Sequence, residues 1–242
     1  MSVAENAPVQ PRGTWPEPVR LRRGWGKGEA RPWNDVTPDA SLRVIRGGAP
    51  FVDACSAYLL GIGVPSVLSP PMPGAAAKAW ETVGYEQFVP LALMRMELVE
   101  QIPTPDHLVV RGDVDLELLL AIDRAAFDDF WRFDRFGLRE AIDATTENMT
   151  LTITGSDAAP VAYAVVGLGQ AISYLQRLAV HPDWQGTGMG RSLVRSAARA
   201  ARTGGTRAMV LNTQQDNAAA IGLYESEGFA VQPEPLAVLR RR

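Results

Sequence analysis

The chain has 242 residues, of which 46% are hydrophobic and 21% are charged, and its formal net charge is -3. These values describe an ordinary globular protein with room for two small domains or one large one, and they exclude fibrous and membrane-embedded classes. The slightly acidic balance also argues against nucleic-acid binding through a broadly basic surface. No apolar run reaches the length of a membrane span and the N terminus lacks the apolar core of a signal peptide, so we expect a cytoplasmic protein that contacts no membrane.

Residues 1–40 are predicted to form an extended arm. They contain six prolines and four glycines, and such a composition does not sustain a helix or a central strand. Trp15, Trp25 and Trp33 are large apolar side chains that favour burial. We therefore expect an arm that packs on the body of the protein or reaches the partner subunit of a homodimer.

Residues 41–105 predict a smaller αβ half-domain and a linker. Hydrophobic spacing and glycine stops predict strands at 42–45, 65–69 and 85–98, with helices at 51–59 and 74–83 between them. The proline-marked stretch 101–106 then separates this half-domain from the rest of the chain.

Residues 106–242 predict a larger αβ domain. A first strand at 107–111 precedes two helices, 116–127 and 135–144, which Asp115 and Asp134 are expected to cap. Three strands follow at 149–154, 161–167 and 175–180, and the first two are joined by the turn signal at 155–157. The C-terminal part predicts a helix from Arg191, a strand at 207–211, a helix at 218–225 and a strand from Phe229.

A glycine-rich turn lies between the strand at 175–180 and the helix that follows it. Its sequence is Gln185-Gly186-Thr187-Gly188-Met189-Gly190. Glycines let the backbone fold closely around a ligand, and the unpaired N–H groups of a first helical turn attract phosphate. Neither the Gly-Lys-Ser/Thr of a P-loop nor the spacing of a dinucleotide fingerprint is present. The turn therefore predicts an anion site of another type.

Two motifs together resemble the GNAT family of N-acetyltransferases. The first is Gln185-x-x-Gly188-x-Gly190 after Leu178-Ala179-Val180-His181-Pro182, and the second comprises Asn217, Ala220, Leu223-Tyr224 and Gly228-Phe229. The resemblance covers about residues 106–242. It implies the α/β (α+β) GNAT acyl-CoA N-acyltransferase fold, a mixed central sheet flanked by helices, here preceded by the smaller αβ half-domain. The predicted element order β, α, α, β, β, β, α, β, α, β agrees with that fold.

The resemblance implies an N-acetyltransferase that moves an acetyl group from acetyl-CoA to a primary amine of a small molecule, peptide or protein, by direct attack through a tetrahedral intermediate. It implies that the Leu178 N–H faces the thioester oxygen, that Val180 pairs with the pantetheine arm, and that Tyr224 protonates the leaving thiolate. The other implied cofactor contacts are Gln185, Gly186, Gly188, Met189, Gly190, Arg191 and Asn217. Each of two of these residues also has a purely structural interpretation. Asn217 could serve only as a helix cap, and Tyr224 could be only an aromatic side chain packed in the last helix.

No residue stands out as the general base. Some GNAT enzymes carry a glutamate where this chain has Tyr174, and a tyrosine is not an obvious base at neutral pH. A relayed water remains open, as does a carboxylate from the segment DDFWRFD. The acceptor-site candidates are therefore Tyr174 together with Asp128, Asp129, Trp131 and Asp134. An equally good interpretation is that the aromatic residues of that segment only fill the space beneath the two helices.

The two histidines do not predict a metal site. His181 precedes the glycine turn, and we expect His107 to be remote on an early strand. The sequence leaves a second function open, a non-catalytic module that binds acyl-CoA, and it does not distinguish an acetyl donor from a longer acyl donor.

A possible internal repeat links the two halves of the chain. Residues 80–85 match residues 224–229 in pattern: an aromatic, an acid, two further residues, a glycine and a second aromatic. Chance similarity of two helix ends is the alternative. As a repeat, the first copy is degenerate, because residues 46–50 lack the full glycine turn, and we expect it to bind no cofactor.

Overall fold

The computed structural model describes residues 8–98, 101–156 and 158–242. The chain divides into two compact units: unit 1 is Met1–Leu91 with Glu234–Arg242, and unit 2 is Ala92–Pro233. The sequence placed the domain boundary near residue 105 and kept the C terminus with the second domain. No helix in the described ranges combines the length and the apolar character that a membrane crossing requires.

Fourteen strands and six α-helices are defined in the described residues. In unit 1 they begin with β1 (Gln10–Arg12), β2 (Val19–Arg23), β3 (Gly26–Pro32), β4 (Ala40–Arg46), α1 (Ala49–Gly61), β5 (Val67–Leu68), β6 (Met72–Pro73), α2 (Gly74–Glu81) and β7 (Glu86–Glu97), whose last residues belong to unit 2. Unit 2 continues with β8 (Val110–Arg111), α3 (Leu116–Ala126), α4 (Arg135–Ile142), β9 (Glu147–Thr154), β10 (Pro160–Leu168), β11 (Ile172–Val180), α5 (Met189–Thr203), β12 (Ala208–Gln214), α6 (Ala218–Ser226) and β13 (Ala230–Val231), and β14 (Leu236–Arg241) returns to unit 1.

The N-terminal segment forms a β-meander instead of an extended arm. Strands β1 to β4 pair in sequence, each antiparallel to the next, so β3 has a neighbour on both sides. The prediction that this segment contains no central strand is wrong. Gly26 has a structural reason to lie in β3, because a Cβ there would meet Phe51 Cδ2 at 2.6 Å. Trp25, which we expected to be buried, is 66% exposed. Residues 1–7 of the predicted arm lie outside the described residues.

Unit 1 has its own apolar core beneath α1 and α2. Strands β4 and β5 are parallel, with α1 between them in sequence. Strand β14 pairs antiparallel with β5, β6 and residues 86–91 of β7, which is why the C terminus belongs to this unit. The sequence did not predict β14. The core includes Leu21, Leu42, Cys55, Leu59, Val67, Trp80 and Leu239.

Strand β10 is the centre of unit 2 and is buried on both faces. It pairs antiparallel with β9 and with β11. Ala162, Ala164 and Val166 belong to the core that packs with α5, whereas Tyr163 and Val165 belong to the core that packs with α3 and α4. This double burial explains why β10 reads as a continuous apolar run in the sequence.

Several local predictions for unit 2 are confirmed. Asp115 accepts a hydrogen bond from the N–H of Glu117, and Asp134 from that of Gly137, so both cap their helices. The predicted apolar face of α5 is buried, comprising Leu193, Val194, Ala197, Ala198 and Ala201. The helix starts at Met189, two residues earlier than predicted. The predicted turn at 155–157 includes Asp157, which lies outside the described residues.

Replacement of Gly26 by alanine tests the packing of the meander on Phe51. The added Cβ would lie 2.6 Å from a ring carbon, so we expect unit 1 to lose about 1–3 kcal/mol through overpacking. Gly61→Ala is the matched control. Nothing lies within 4 Å of a Cβ at Gly61, so that variant should be neutral or slightly stabilised. Chemical denaturation measures both, and equal stability of the two variants would contradict the packing argument.

Candidate active site

Strands β11 and β12 separate partway along their length. Their parallel pairing covers three positions and ends at Tyr174 opposite Val210, although β11 continues to Val180 and β12 to Gln214. On its other side β11 stays paired with β10 as far as Val180. A strand that loses one neighbour leaves alternate backbone groups without a partner.

The backbone groups of Leu178 and Val180 face this gap. The N–H of His181 donates to the carbonyl of Val161 in β10, at 2.8 Å. Because backbone groups alternate in direction along a strand, those of Val180 and Leu178 point the other way. The carbonyl of Val180 accordingly accepts a hydrogen bond from the Gln185 side chain at 3.1 Å.

The glycine turn supplies a run of unused backbone donors. Gly186 (φ 76°) and Gly188 (φ 89°) adopt the left-handed conformation that favours glycine. The first backbone bond at the start of α5 runs from Ser192 to the Gly188 carbonyl. Within the described ranges, the six N–H groups of residues 186–191 have no protein acceptor. Such a run, at the positive end of a 15-residue helix, favours a bound anion.

Gly190 brings the three parts of the site together. A Cβ at this position would lie 3.1 Å from Leu223 of α6, and 3.8 Å from both Leu178 and Val180 of β11. The start of α5 is thus in contact with the end of β11 and with α6. The fold therefore brings together the glycine turn with its free N–H groups, the separated end of β11 and the helix that carries Tyr224.

Tyr224 is a buried phenol on α6. Its ring packs edge-on against Phe229 with 5.7 Å between centroids. Burial raises its pKa to about 12, although the nearby positive charge of Arg177 acts in the opposite direction. The hydroxyl has no hydrogen-bond partner among the described residues. Tyr224 therefore keeps its proton at neutral pH and has that proton available for a ligand.

Asn217 caps helix α6. Its side-chain oxygen accepts from the N–H of Ala220 at 3.1 Å. This geometry matches the simpler of the two sequence interpretations, while its amide nitrogen lies 3.5 Å from the Gln214 side chain.

Glu227 connects α5 to the end of α6, a link that the sequence reading missed. Its carboxylate pairs with Arg191 and with Arg195, each at 2.8 Å, and its side chain is only 5% exposed. Arg195 also reaches Asp106 at 3.1 Å. Because Glu227 holds the Arg191 side chain, Arg191 offers the anion site its backbone N–H.

The acidic residues predicted at the acceptor site organise their own loop. Asp128 accepts hydrogen bonds from the N–H groups of Phe130 and Trp131. Asp134 caps α4 and is buried, whereas Asp129 is largely exposed and pairs with Arg132. Tyr174 lies on the paired part of β11 and is partly exposed.

A buried ion pair fixes that loop to β11, and the sequence reading missed it too. Both guanidinium bonds from Arg177 to Asp123 are 2.7 Å long. The Tyr163 hydroxyl and the N–H of Phe133 also donate to the Asp123 carboxylate. Burial raises the pKa of Tyr163 well above its ordinary value. The sequence signals were an acid inside the apolar run LELLLAID and an arginine in a buried strand.

Arg177 holds the loop in two further ways. It donates to the backbone carbonyl of Trp131 at 2.8 Å. Its guanidinium group lies over the rings of Phe127 and Phe133, at 3.5 and 3.9 Å from their centroids. Phe127 and Phe133 therefore pack against the core beneath α3 and α4 and enclose a cation of the protein itself, and of these two only Phe133 belongs to the segment DDFWRFD.

His107 is not remote from the site, so that prediction is wrong. The strand predicted at 107–111 is only Val110–Arg111, and His107 precedes it. The chain before β8 runs along the start of α5, where His107 contacts Ser192 and lies close to Gly188. Among the described residues, no three histidine, cysteine or acidic side chains are grouped as metal ligands.

Comparison with known proteins identifies the class of fold. A tandem GNAT protein from the clavulanic acid biosynthesis pathway superposes with a TM-score of 0.65 at 12% identity, covering 92% of this chain and 81% of that chain. The mixed α/β architecture is therefore that of GNAT proteins, as predicted. Residues 116–229 match the acetyltransferase (GNAT) family, and this segment lies within unit 2. This match to the GNAT family model agrees with the resemblance that the two motifs predicted.

The curated relatives share a name. A mycothiol acetyltransferase of Nocardiopsis dassonvillei is 32% identical over 121 residues, which are 50% of this chain and 34% of that protein. Another mycothiol acetyltransferase, from Renibacterium salmoninarum, is 28% identical over 182 residues, or 64% of this chain and 52% of that protein. The chain thus spans about a third to a half of the length of these two relatives.

Removal of the Asp123 carboxylate should lower the free energy of unfolding of unit 2. Asp123→Ala leaves the Arg177 cation buried without its partner, and we expect a loss of about 3–5 kcal/mol. The double variant Asp123→Leu/Arg177→Met removes both charges and should lose less. Glu97→Ala is the control, because Glu97 is in an exposed ion pair with Arg95 and should change stability by at most about 1 kcal/mol. Denaturation of the four proteins checks this, and a neutral Asp123→Ala would contradict it.

Proposed function

We propose that the protein is an N-acetyltransferase that moves the acetyl group of acetyl-CoA to a primary amine. The observation that carries the proposal is the run of six backbone N–H groups at residues 186–191 that have no acceptor among the described residues. It lies beside the gap between β11 and β12 and inside the segment that matches the acetyltransferase (GNAT) family. The curated relatives supply the reaction class through their names.

The residues present fit the coenzyme. The N–H groups of residues 186–191 would hold its diphosphate, and the backbone of Val180 would pair with the pantetheine arm as an added strand. Gln185 would hold the turn through its bond to Val180. The bound coenzyme supplies the acyl thioester. The N–H of Leu178 would donate a hydrogen bond to the thioester carbonyl oxygen and polarise that carbonyl. The position of this N–H would therefore determine where the amine attacks.

Tyr224 would assist the departure of the sulfur. An ordinary thiol has a pKa of about 8.5, whereas burial raises the pKa of Tyr224 to about 12. Complete transfer of its proton to a thiolate is therefore uphill. We infer that Tyr224 acts mainly by donating a hydrogen bond to the developing negative charge, and that solvent completes the protonation.

The acceptor would be a cationic amine that approaches the loop after α3. Asp128 and Asp134 already use carboxylate oxygens to accept backbone N–H groups, which leaves them poorly placed to take a proton. We propose that these acids, Asp129, Trp131 and Tyr174 attract and orient the amine, and that a relayed water removes its proton. A mycothiol-type amine is the first acceptor to test, given the names of the relatives.

Unit 1 would be a degenerate copy of the C-terminal half of the GNAT domain. Helices α2 and α6 end alike: Tyr85 donates to the Trp80 carbonyl at 3.3 Å and Phe229 to that of Tyr224 at 3.0 Å. Both aromatic pairs are edge-on. In each unit a strand, a helix and a parallel strand precede this motif. The match of 92% of the chain to a tandem GNAT structure also supports a repeat.

Two further expectations remain proposals. The exposed Trp25 motivates a homodimer, and the ordinary composition motivates a cytoplasmic location.

The Tyr224→Phe variant distinguishes catalysis from binding. Phenylalanine keeps the packing on Phe229 but removes the proton, so we expect turnover to fall about a hundredfold, with the Kd for acetyl-CoA within about twofold of the wild-type value. Calorimetry with acetyl-CoA and a free-thiol assay over an amine panel measure the two quantities. Tyr58→Phe, in unit 1, controls for the loss of a phenol elsewhere.

Two other results would change the conclusion. Absence of both binding heat and thermal protection with wild-type protein at millimolar acetyl-CoA rejects the function itself. Binding without turnover on any amine, or equal losses of turnover and affinity in Tyr224→Phe, favours a non-catalytic acyl-CoA-binding module.

A further inference from the structure

His107 lies against the glycine turn. Its Cε1 is 3.5 Å from the position that a Cβ would occupy at Gly188. Its Nδ1 is 3.1 Å from the hydroxyl of Ser192, a buried residue in the first turn of α5. Because Cε1 is bonded to both ring nitrogens, Nε2 is one bond from the atom that approaches the turn.

The hydrogen bonds of Ser192 determine which ring nitrogen carries the proton. The Ser192 oxygen accepts from the backbone N–H groups of Asp106 and His107, both at 3.2 Å. A serine hydroxyl has two acceptor positions and one donor proton. With both acceptor positions used, the hydroxyl donates to Nδ1. The proton of the neutral imidazole is therefore on Nε2, close to the turn.

The other polar side chains around the turn are already engaged by the protein. Thr187 donates to the Trp184 carbonyl at 2.6 Å, and Gln185 donates to the Val180 carbonyl at 3.1 Å. Arg191 and Arg195 pair with the buried Glu227. In the part of the chain that the structure describes, the Nε2–H of His107 has no protein acceptor.

We propose that His107 is a cofactor-binding residue whose Nε2–H donates to the diphosphate of coenzyme A. The inference rests on the proposed function, since it adds one side chain to the same cofactor site. Ser192 is a positioning residue that presents the correct tautomer. The backbone turn supplies main-chain donors, and His107 adds the side-chain donor that the paired arginines do not provide. A bond from a neutral donor to a charged phosphate is among the stronger hydrogen bonds in proteins.

Calorimetry with two ligands tests the contact. Wild-type protein, His107→Ala and His107→Gln are titrated with coenzyme A and with 3′-dephospho-coenzyme A, which keeps the diphosphate. We expect His107→Ala to weaken both ligands about tenfold or more. The glutamine variant should recover most of the affinity, because its amide N–H can occupy roughly the position of Nε2–H. Thermal unfolding confirms that the variants are folded.

Nitrogen-15 NMR of wild-type protein provides a measurement that needs no variant to fold. The His107 ring should show the Nε2–H tautomer, and its Nε2 resonance should shift when coenzyme A is added. The protein has only two histidines, so the signal is readily assigned against His181.

Each outcome decides the inference. Equal weakening of both ligands and a shifted Nε2 resonance support it. Unchanged affinity in His107→Ala, a loss seen with coenzyme A alone, or an unshifted resonance overturns it while the proposed function stands. If the wild-type protein binds neither ligand, the proposed function fails, and the inference fails with it.

Discussion

The central constraint on unit 2 is a set of backbone groups that the fold leaves unpaired. Peptide N–H groups are normally satisfied within a protein, because leaving them without a partner is costly. In the part of the chain that the structure describes, six N–H groups without a protein acceptor occur together at residues 186–191, beside the stretch of β11 that has separated from β12. A surface of this kind is adapted to an anionic, extended ligand. The surrounding packing must hold the gap open, because its closure would let the backbone groups of Leu178 and Val180 pair with those of β12.

Two buried acids, Asp123 and Glu227, hold the sides of this surface through their ion pairs. Arg177, directly before Leu178, is clamped by the fully buried Asp123 and by two aromatic rings. Glu227 joins the first turns of α5 to the end of α6. The clamp at Arg177 sets the position of the strand, and the clamp at Glu227 sets the helix start relative to Tyr224. These charged side chains thus hold the elements around the glycine turn in position, and the free donors at the turn are backbone N–H groups.

The sequence predicted what local chemistry determines, and it missed what depends on distant parts of the chain. Helix caps such as Asp115 and Asn217, and the buried face of α5, follow from spacing within a few residues. The Asp123–Arg177 pair joins residues 54 positions apart, and His107 meets Ser192 across 85 positions. The N-terminal meander was missed because prolines and glycines at this density predict breaks in a strand, whereas Gly26 makes room for Phe51 within β3. The number of glycines and prolines indicates how freely the local backbone can turn. It does not indicate which distant side chain will pack against a glycine.

The start of α1 shows why the same topology need not give the same site. In α1 the N–H groups of Phe51 and Val52 already donate to the Gly48 carbonyl, and Pro50 has no N–H to offer. The ring of Phe51 fills the space beside Gly47 and Gly26. In α5 the corresponding first bond is delayed to Ser192, and two left-handed glycines precede it. An anion would find few free donors at α1 and several at α5. If unit 1 is a structural copy and α5 opens a cofactor site, as we propose, the difference between them would lie in a few residues at the start of one helix, where backbone donors are either used by the protein or left without a protein acceptor.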